Sequence, residues 1–316
     1  MTPAAILEDP MSIADNLADA LARRVSPATV IRRREPLAPR TTLRVGGPAD
    51  VYVEPATEAD LAEVVRHCRE ARRPFFVIGR GSNLLVRDGG YRGVVISLAP
   101  AAFCRIEAAG ERLRCGAGAK LKSVAVEAKR HGLSGLEFLE GIPGSVGGAL
   151  RMNAGAMGGE TFKVVETVRL MDATGAVRDL GPPEMDVAYR SCALLKDLIA
   201  LSAVFKGAPA PRAEIEQRMK AFSEKRWASQ PAAPSAGCLF KNPAAIPAGK
   251  LIDELGLKGA RVGGAVVSAE HGNFIVNDGT ATARDILALI EILRAKAKAA
   301  RGIELETEVE IMGEDQ

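Results

Sequence analysis

The chain has 316 residues, 47% of them hydrophobic, and 42 lysines and arginines stand against 39 acidic residues. That length predicts two or three domains at ~100–200 residues each; the near-balanced charge of +3 and the 4% aromatic content exclude a dedicated nucleic-acid or membrane-surface binder. No apolar run approaches the ~20 residues of a membrane span, the acidic N-terminus lacks a secretory pattern, and five cysteines without paired spacing read as reduced thiols of a cytoplasmic protein.

In chain order, residues 12–24 predict a short helix, with Ile13, Leu17 and Leu21 on one stripe and Ser12 as its cap. Arg32, Arg33, Arg34 and Arg40 read as a solvated face, and the stretch ends in Arg44-Val45-Gly46-Gly47-Pro48. Thr57-Glu58-Ala59-Asp60 reads as a capping box opening a helix whose apolar stripe is Leu61, Val64, Val65 and Cys68. Phe75–Ile78 and Gly93–Leu98 read as buried strands, and 119–130 as a second helix. Val164–Met171 and Ile199–Phe205 are further strands, with a turn at Ala173-Thr174-Gly175. The character changes at Pro209 and Pro211, which marks a domain boundary. Beyond it come a charged helix over 212–226, an alanine- and proline-rich loop, a strand over Asn273–Val276 and a long helix over Thr282–Ala299. That last helix carries Ile286, Leu287, Ile290, Ile292 and Leu293. Leu305–Ile311 reads as a closing strand with Glu306, Glu308 and Glu310 on one face. The pattern is α+β.

Two glycine-rich loops stand out. Ile78-Gly79-Arg80-Gly81-Ser82-Asn83 follows a strand, so its backbone N–H groups could form an anion-binding concavity. It lacks the third glycine of the dinucleotide fingerprint, and Leu84-Leu85-Val86 continues as extended chain. In the second loop, seven of the nineteen residues from Gly141 to Gly159 are glycine, with no helical or strand period. So much glycine is costly to order unless a ligand or forced backbone angles require it. Two such loops, about sixty residues apart, suit an extended ligand with a central diphosphate, hence a dinucleotide. Two unrelated turn clusters are the alternative. His67, His131 and His271 are far apart in sequence, which argues against a histidine metal site.

The order of motifs resembles one family. Thr42–Ala49 (TLRVGGPA), Gly79–Asp88 (GRGSNLLVRD), Gly135–Gly148 (GLEFLEGIPGSVGG), Met152–Gly155 (MNAG), Tyr189-Arg190, 234–243 (PSAGCLFKNP), 250–259 (KLIDELGLKG) and 302–313 (GIELETEVEIMG) resemble the UDP-N-acetylenolpyruvoylglucosamine reductases, flavoenzymes of bacterial peptidoglycan precursor synthesis. The resemblance implies a bipartite FAD-binding module of the p-cresol methylhydroxylase / vanillyl-alcohol oxidase type plus a C-terminal α+β substrate-binding domain. Its expected limits are an N-terminal extension over 1–26, the FAD module over 27–209 (subdomains of about 27–100 and 101–209), a substrate domain over 210–303 and a closing strand and tail over 304–316. No histidine lies between His67 and His131, so FAD is expected to be non-covalent, with NADPH as hydride donor. The span from Arg190 to Cys238 fits the shorter subtype of the family. Small-molecule partners alone are expected: a UDP-sugar and NADPH, with no nucleic acid, membrane, metal or obligatory protein partner.

Residue by residue, the resemblance assigns Arg44, Ile78, Gly79, Arg80, Gly81, Ser82, Asn83, Leu84, Pro143, Gly144, Ser145, Gly147, Gly148, Asn153, Ala154 and Gly155 to the cofactor. It assigns Tyr189, Lys241, Asn242, Lys250, His271 and Asn273 to the substrate. Arg190 matches the arginine that grips the substrate carboxylate, a role suited to a planar, permanently charged fork. Glu308 matches a glutamate expected to sit near the developing enolate with a pKa raised by burial. Cys238 stands where the family has the serine that protonates the intermediate; a thiol is the stronger acid, and Lys241 could lower its pKa. Thr41 replaces a common asparagine and Cys192 a common serine. A lactone or alcohol oxidase on the same module, or a non-catalytic flavin-binding module, are the alternative readings.

Overall fold

The structure is a computed structural model that describes residues 10–315. Helix α1 (Pro10–Ala22) begins before Ser12, and the side chains of Ser12 and Ile13 lie outside the described residues. Next come β1 (Val30–Pro36), β2 (Pro48–Glu54), α2 (Glu58–Glu70), β3 (Phe75–Ile78), β4 (Leu84–Val86) and β5 (Tyr91–Ser97). A sheet of order β1-β2-β5-β3 forms, antiparallel at β1 and parallel elsewhere, with α2 as the crossover between β2 and β3. Leu61, Val64, Val65 and Cys68 of α2 are fully buried, as the stripe predicts, and each of the larger three contributes roughly 1.5–3 kcal/mol. The capping box is only half made. Thr57 Oγ1 accepts from the Asp60 N–H, but the Asp60 carboxylate reaches back only to the Thr57 hydroxyl, not to its backbone N–H, and accepts from the Ser26 N–H at 2.7 Å, tying α1's exit to α2.

The second sheet is antiparallel. It contains β6 (Ile106–Ala109), β7 (Arg112–Gly116), β8 (Val165–Met171), β9 (Val177–Leu180) and β10 (Ile199–Lys206) in the order β9-β8-β10-β7-β6. Helices α3 (Leu121–Arg130) and α4 (Val146–Arg151) lie between β7 and β8 in sequence. Helix α4 corrects the aperiodic reading of the second glycine loop: Ser145 caps it, accepting from the Gly148 N–H.

Helix α5 (Arg212–Ser229) buries Ile215 and Met219 in the same apolar core as α1, α2 and α3. By packing, therefore, α5 goes with the first two sheets and α1 is no detached extension, because their apolar residues have no other core to enter. A separate core takes in Leu43, Val45 and Leu85 and, from Ala236 on, α6 (Ala248–Glu254), β11 (Arg261–Val262), β12 (Ala265–Val267), β13 (Ile275–Asn277) and α7 (Ala283–Arg301). In α7, Ile286, Leu289, Ile290 and Leu293 are buried, whereas Ile292, another of its apolar residues, is 41% exposed.

The closing segment departs most from expectation. Only Glu310–Met312 (β14) is strand, running parallel to β4. The run changes partners midway. The Lys241 N–H donates to the Glu306 carbonyl and the Glu308 N–H to the Leu239 carbonyl, before the chain crosses to β4. Glu308 therefore sits where the C-terminal domain meets β4, which pairs with β14 in a two-stranded sheet of their own.

Candidate functional site

A cavity of about 970 Å³ opens between the two sheets, at the upper end of the ~300–1,000 Å³ typical of ligand sites. Ile78, Gly79 and Arg80 line one wall, Ser145, Gly147 and Gly148 another, and Lys196–Ala200 a third. The two predicted loops thus face each other, and a Cβ on Gly79 would lie 2.5 Å from Ser145 Oγ. Arg40, Arg69, Arg73, Arg80, Lys120, Arg151 and Lys196 line the cavity against the single carboxylate of Asp197, so it attracts an anion. Among the described residues, no acceptor meets the backbone N–H groups of Arg80, Gly81, Ser82 and Asn83 in the first loop, or those of Gly144 and Ser145 in the second. Backbone donors inside a fold are rarely left unpaired. Of these residues, Arg80 and Ser145 line the basic cavity on opposed walls, and free donors placed there match the diphosphate of FAD.

The other predicted cofactor residues are placed differently. Gly81 has φ +60°, and a Cβ there would lie 2.5 Å from the Arg40 carbonyl, so its glycine is required by the backbone itself. Ile78 and Leu84 are buried in the small core under the first loop, and Pro143 is exposed. Arg44 is exposed in a left-handed conformation, its N–H held by Thr41 Oγ1, the residue that departs from the family. Asn153 binds the Ala188 carbonyl, and the Gly155 carbonyl accepts from Arg190 Nη2 at 3.2 Å. Asn153–Gly155 therefore shape the seat of Arg190.

Arg190, Cys238 and Glu308 come from three distant segments and meet. Arg190 Nε lies 3.0 Å from Glu308 Oε1, close enough for an ion pair, though its N–H is aimed off that oxygen. The Arg190 backbone is left-handed, φ +56°, and its guanidinium lies over the Tyr189 ring at 5.2 Å. Burial pushes the Glu308 carboxyl above the usual range, against the opposing pull of Arg190 and Lys241. Burial, and then the Glu308 charge, push the Cys238 thiol up to about 12, with Arg190 and a hydrogen bond from Asn273 acting the other way. The expected lowering by Lys241 is not found: its Nζ is 2.6 Å from Glu306 Oε1.

Several substrate-side expectations resolve into scaffolding. Asn273 is buried and closes both ends of its amide on the Phe240 backbone, which positions the Cys238-Leu239-Phe240 segment. His271 Nδ1 accepts from the Asn273 N–H, and burial lowers its pKa, so the ring stays neutral. Asn242 accepts from the Ala248 N–H at the start of α6. Lys250 points along exposed α6 toward Glu254 at 3.8 Å and does not join the cluster. Tyr189, 53% exposed, stands beside Arg190. Sequence reasoning missed Arg151, Lys120 and Lys196 in the cavity wall. Arg151 directly precedes the Met152–Gly155 motif, but nothing local signals that it faces a cavity.

This fold and cavity define an FAD-binding protein: residues 49–181 match the family described as "FAD binding domain". Residues 230–312 match "UDP-N-acetylenolpyruvoylglucosamine reductase, C-terminal domain". The UDP-N-acetylenolpyruvoylglucosamine reductase of Heliobacterium modesticaldum is 46% identical over 285 residues, covering 89% of this chain and 90% of the relative. That of Clostridium tetani is 42% identical over 291 residues, covering 90% and 93%. The crystal structure of the reductase from Thermus caldophilus superposes with a TM-score of 0.80 at 41% identity, covering 90% of this chain and all of the other. The chain belongs to the UDP-N-acetylenolpyruvoylglucosamine reductase family.

Proposed function

We propose that this chain reduces UDP-N-acetylglucosamine enolpyruvate to UDP-N-acetylmuramate, a step of peptidoglycan precursor synthesis, with Arg190, Glu308 and Cys238 as its catalytic residues. It is an FAD-containing, NADPH-dependent oxidoreductase acting on small molecules. When bound, FAD would supply two-electron hydride-transfer chemistry between NADPH and the enolpyruvyl double bond.

The protein's own residues handle the charge and the proton. Negative charge builds on the carbon beside the substrate carboxylate and spreads into it. Arg190, charged at every working pH, binds that carboxylate and stabilises the developing enediolate. Glu308 pairs with Arg190 in the free protein; burial raises its pKa, and the incoming substrate carboxylate favours its protonated form, which then donates a hydrogen bond to the same oxygens. Cys238, held fully protonated, delivers its proton to the carbon and regains one from solvent. Among the cofactor assignments, Gly79–Asn83 and Gly144–Gly148 hold the diphosphate, whereas Asn153–Gly155 act through Arg190. Tyr189 and Lys241 flank the route by which a UDP-sugar reaches the cluster. Cytoplasmic placement and the lack of an obligatory protein partner belong to this reading. Among the described residues, no helix is long and apolar enough to cross a membrane.

The observation that supports the reading best is the meeting of Arg190, Cys238 and Glu308. The test is reoxidation of the NADPH-reduced holoenzyme by the UDP-enolpyruvyl sugar under anaerobic conditions. Stoichiometric reoxidation supports it. Reoxidation by oxygen alone, with no response to the sugar, would identify an oxidase instead.

A further inference from the structure

The run over 306–310 changes partner at the residue that ends the first glycine loop. The Glu308 N–H donates to the Leu239 carbonyl at 2.7 Å, next to Cys238, and the Glu310 N–H donates to the Asn83 carbonyl at 3.0 Å. Between these two pairings the Glu308 carbonyl has left one partner segment and not yet reached β4. The side chain of Asn83 supplies its donor, with Nδ2 at 3.1 Å. A side-chain amide here does what a ladder N–H does in a regular strand, and a carbonyl left unpaired inside the fold is costly.

The loop that carries Asn83 also meets the cofactor cavity: Gly79 and Arg80 line it, whereas Asn83 does not. The Asn83 side chain reaches the C-terminal segment instead, across 225 positions of sequence. The same loop has a second tie. Thr42 donates its N–H to the Gly81 carbonyl at 3.1 Å and its hydroxyl to the Ser235 carbonyl at 2.6 Å, just before Cys238. Both catalytic segments of the C-terminal domain are thus bonded to one loop or its neighbour. The tie at Glu308 has the most to control, because Glu308 Oε1 lies 3.0 Å from Arg190 Nε and the same charge acts on the Cys238 thiol. Both interactions weaken as the carboxylate moves away.

We infer that Asn83 is a positioning residue for Glu308: its side-chain amide, bonded to the Glu308 carbonyl, makes the loop that borders the cofactor cavity also set where the Glu308 carboxylate stands beside Arg190 and Cys238. The inference rests on the catalytic reading of Glu308 given above.

The test compares wild-type holoenzyme with Asn83→Ala, Glu308→Gln and the double variant in two readouts. In substrate-driven flavin reoxidation, Asn83→Ala should cost roughly tenfold, the scale of one lost buried hydrogen bond. NADPH-driven reduction and the FAD dissociation constant should change less, since the substitution keeps every backbone N–H of the loop. The second readout, alkylation of Cys238 by iodoacetamide at pH ~9, needs no turnover. Asn83→Ala should speed it, in the direction of Glu308→Gln, because a carboxylate no longer held beside the thiol opposes thiolate formation less. When Glu308 is already glutamine, Asn83→Ala should add little to either readout, as residues that act through one group are not additive. Additive effects on alkylation, or no acceleration by Asn83→Ala, overturn the inference and leave Asn83 a support of the fold alone. A Glu308→Gln variant that reoxidises at the wild-type rate overturns instead the catalytic reading beneath it, and the alkylation cycle still decides the placement. If Asn83→Ala fails to fold, Asn83→Leu, close in volume but without the donor, takes its place.

Discussion

In the cofactor cavity, backbone N–H groups of both glycine loops have no acceptor among the described residues, and cations outnumber the lone Asp197. At the catalytic cluster the opposite holds: Arg190 is already against Glu308, Lys241 against Glu306, and Asn273 against the Phe240 backbone. The cavity offers donors without partners, so FAD completes it. The cluster is internally paired, so substrate must displace partners that the protein itself supplies. A half-buried arginine–glutamate pair is costly to open unless something equally charged takes its place, the part that the proposed function gives to the substrate carboxylate. Cofactor binding is thus set by preformed geometry, and substrate binding by exchange.

The largest effect should fall on the proton donor. Cys238→Ala should slow substrate-driven flavin reoxidation by ~10²–10⁴-fold while NADPH-driven reduction survives, whereas Cys238→Ser stays competent. Single-turnover kinetics of the two half-reactions separates these outcomes; an alanine variant as fast as wild type would reduce Cys238 to packing.

Alkylation sharpens the same point. With its thiol pushed up to about 12, Cys238 should react with iodoacetamide at pH 7 about a thousandfold more slowly than a free thiol of pKa ~8.5, and tenfold faster per pH unit above that. Glu308→Gln removes a charge that raises this pKa and should speed the reaction. Mass spectrometry of the modified residue reads both.

Arg190→Lys keeps the charge but loses the planar fork, and should cost ~10²–10³-fold in substrate-driven reoxidation. An equal loss in the NADPH half-reaction would assign Arg190 to shared binding. In the cavity, a Cβ at Gly148 would meet only Ser145 Oγ, at 3.6 Å. Gly148→Val should therefore fold normally yet weaken FAD roughly tenfold by intruding on the cavity, whereas Gly81→Val should lose stability, since both φ and the Arg40 carbonyl oppose a side chain there. Flavin titration and thermal melts distinguish the two.

The smallest effect is on stability against pH. Burial pushes Cys68, Cys115 and Cys238 up to about 12. Their folded values exceed that of the unfolded chain, so the unfolded state loses protons first as pH rises. Stability should be full below ~8.5 and fall as pH climbs toward the folded values. A melting temperature that rises across that window would contradict the burial of these thiols.

Much of this protein is legible in one dimension. The stripe of α2, the strand Phe75–Ile78, the long helix α7 and the flavin loops depend on neighbours a few residues away, which is where propensity and turn chemistry act. The ordered motifs likewise carry the family and the identities of Arg190, Cys238 and Glu308. Other features needed the fold. Helix α5 follows the boundary suggested by Pro209 and Pro211 yet packs on the first core, because its few apolar residues meet no other. Leu305–Ile311 alternates like one strand, but its first half bonds to residues 239–241 and its second to β4. Glu306, Glu308 and Glu310, alike in pattern, consequently meet Lys241, Arg190 and Arg151. Arg151 and Glu310 are 159 residues apart, and no local period can link them. The sequence by itself determined the local elements, the family and the chemistry of its motifs. Which charge faces which, and which thiol is buried enough to stay protonated, was decided only by tertiary structure, because both depend on distance and dielectric that arise when remote segments pack.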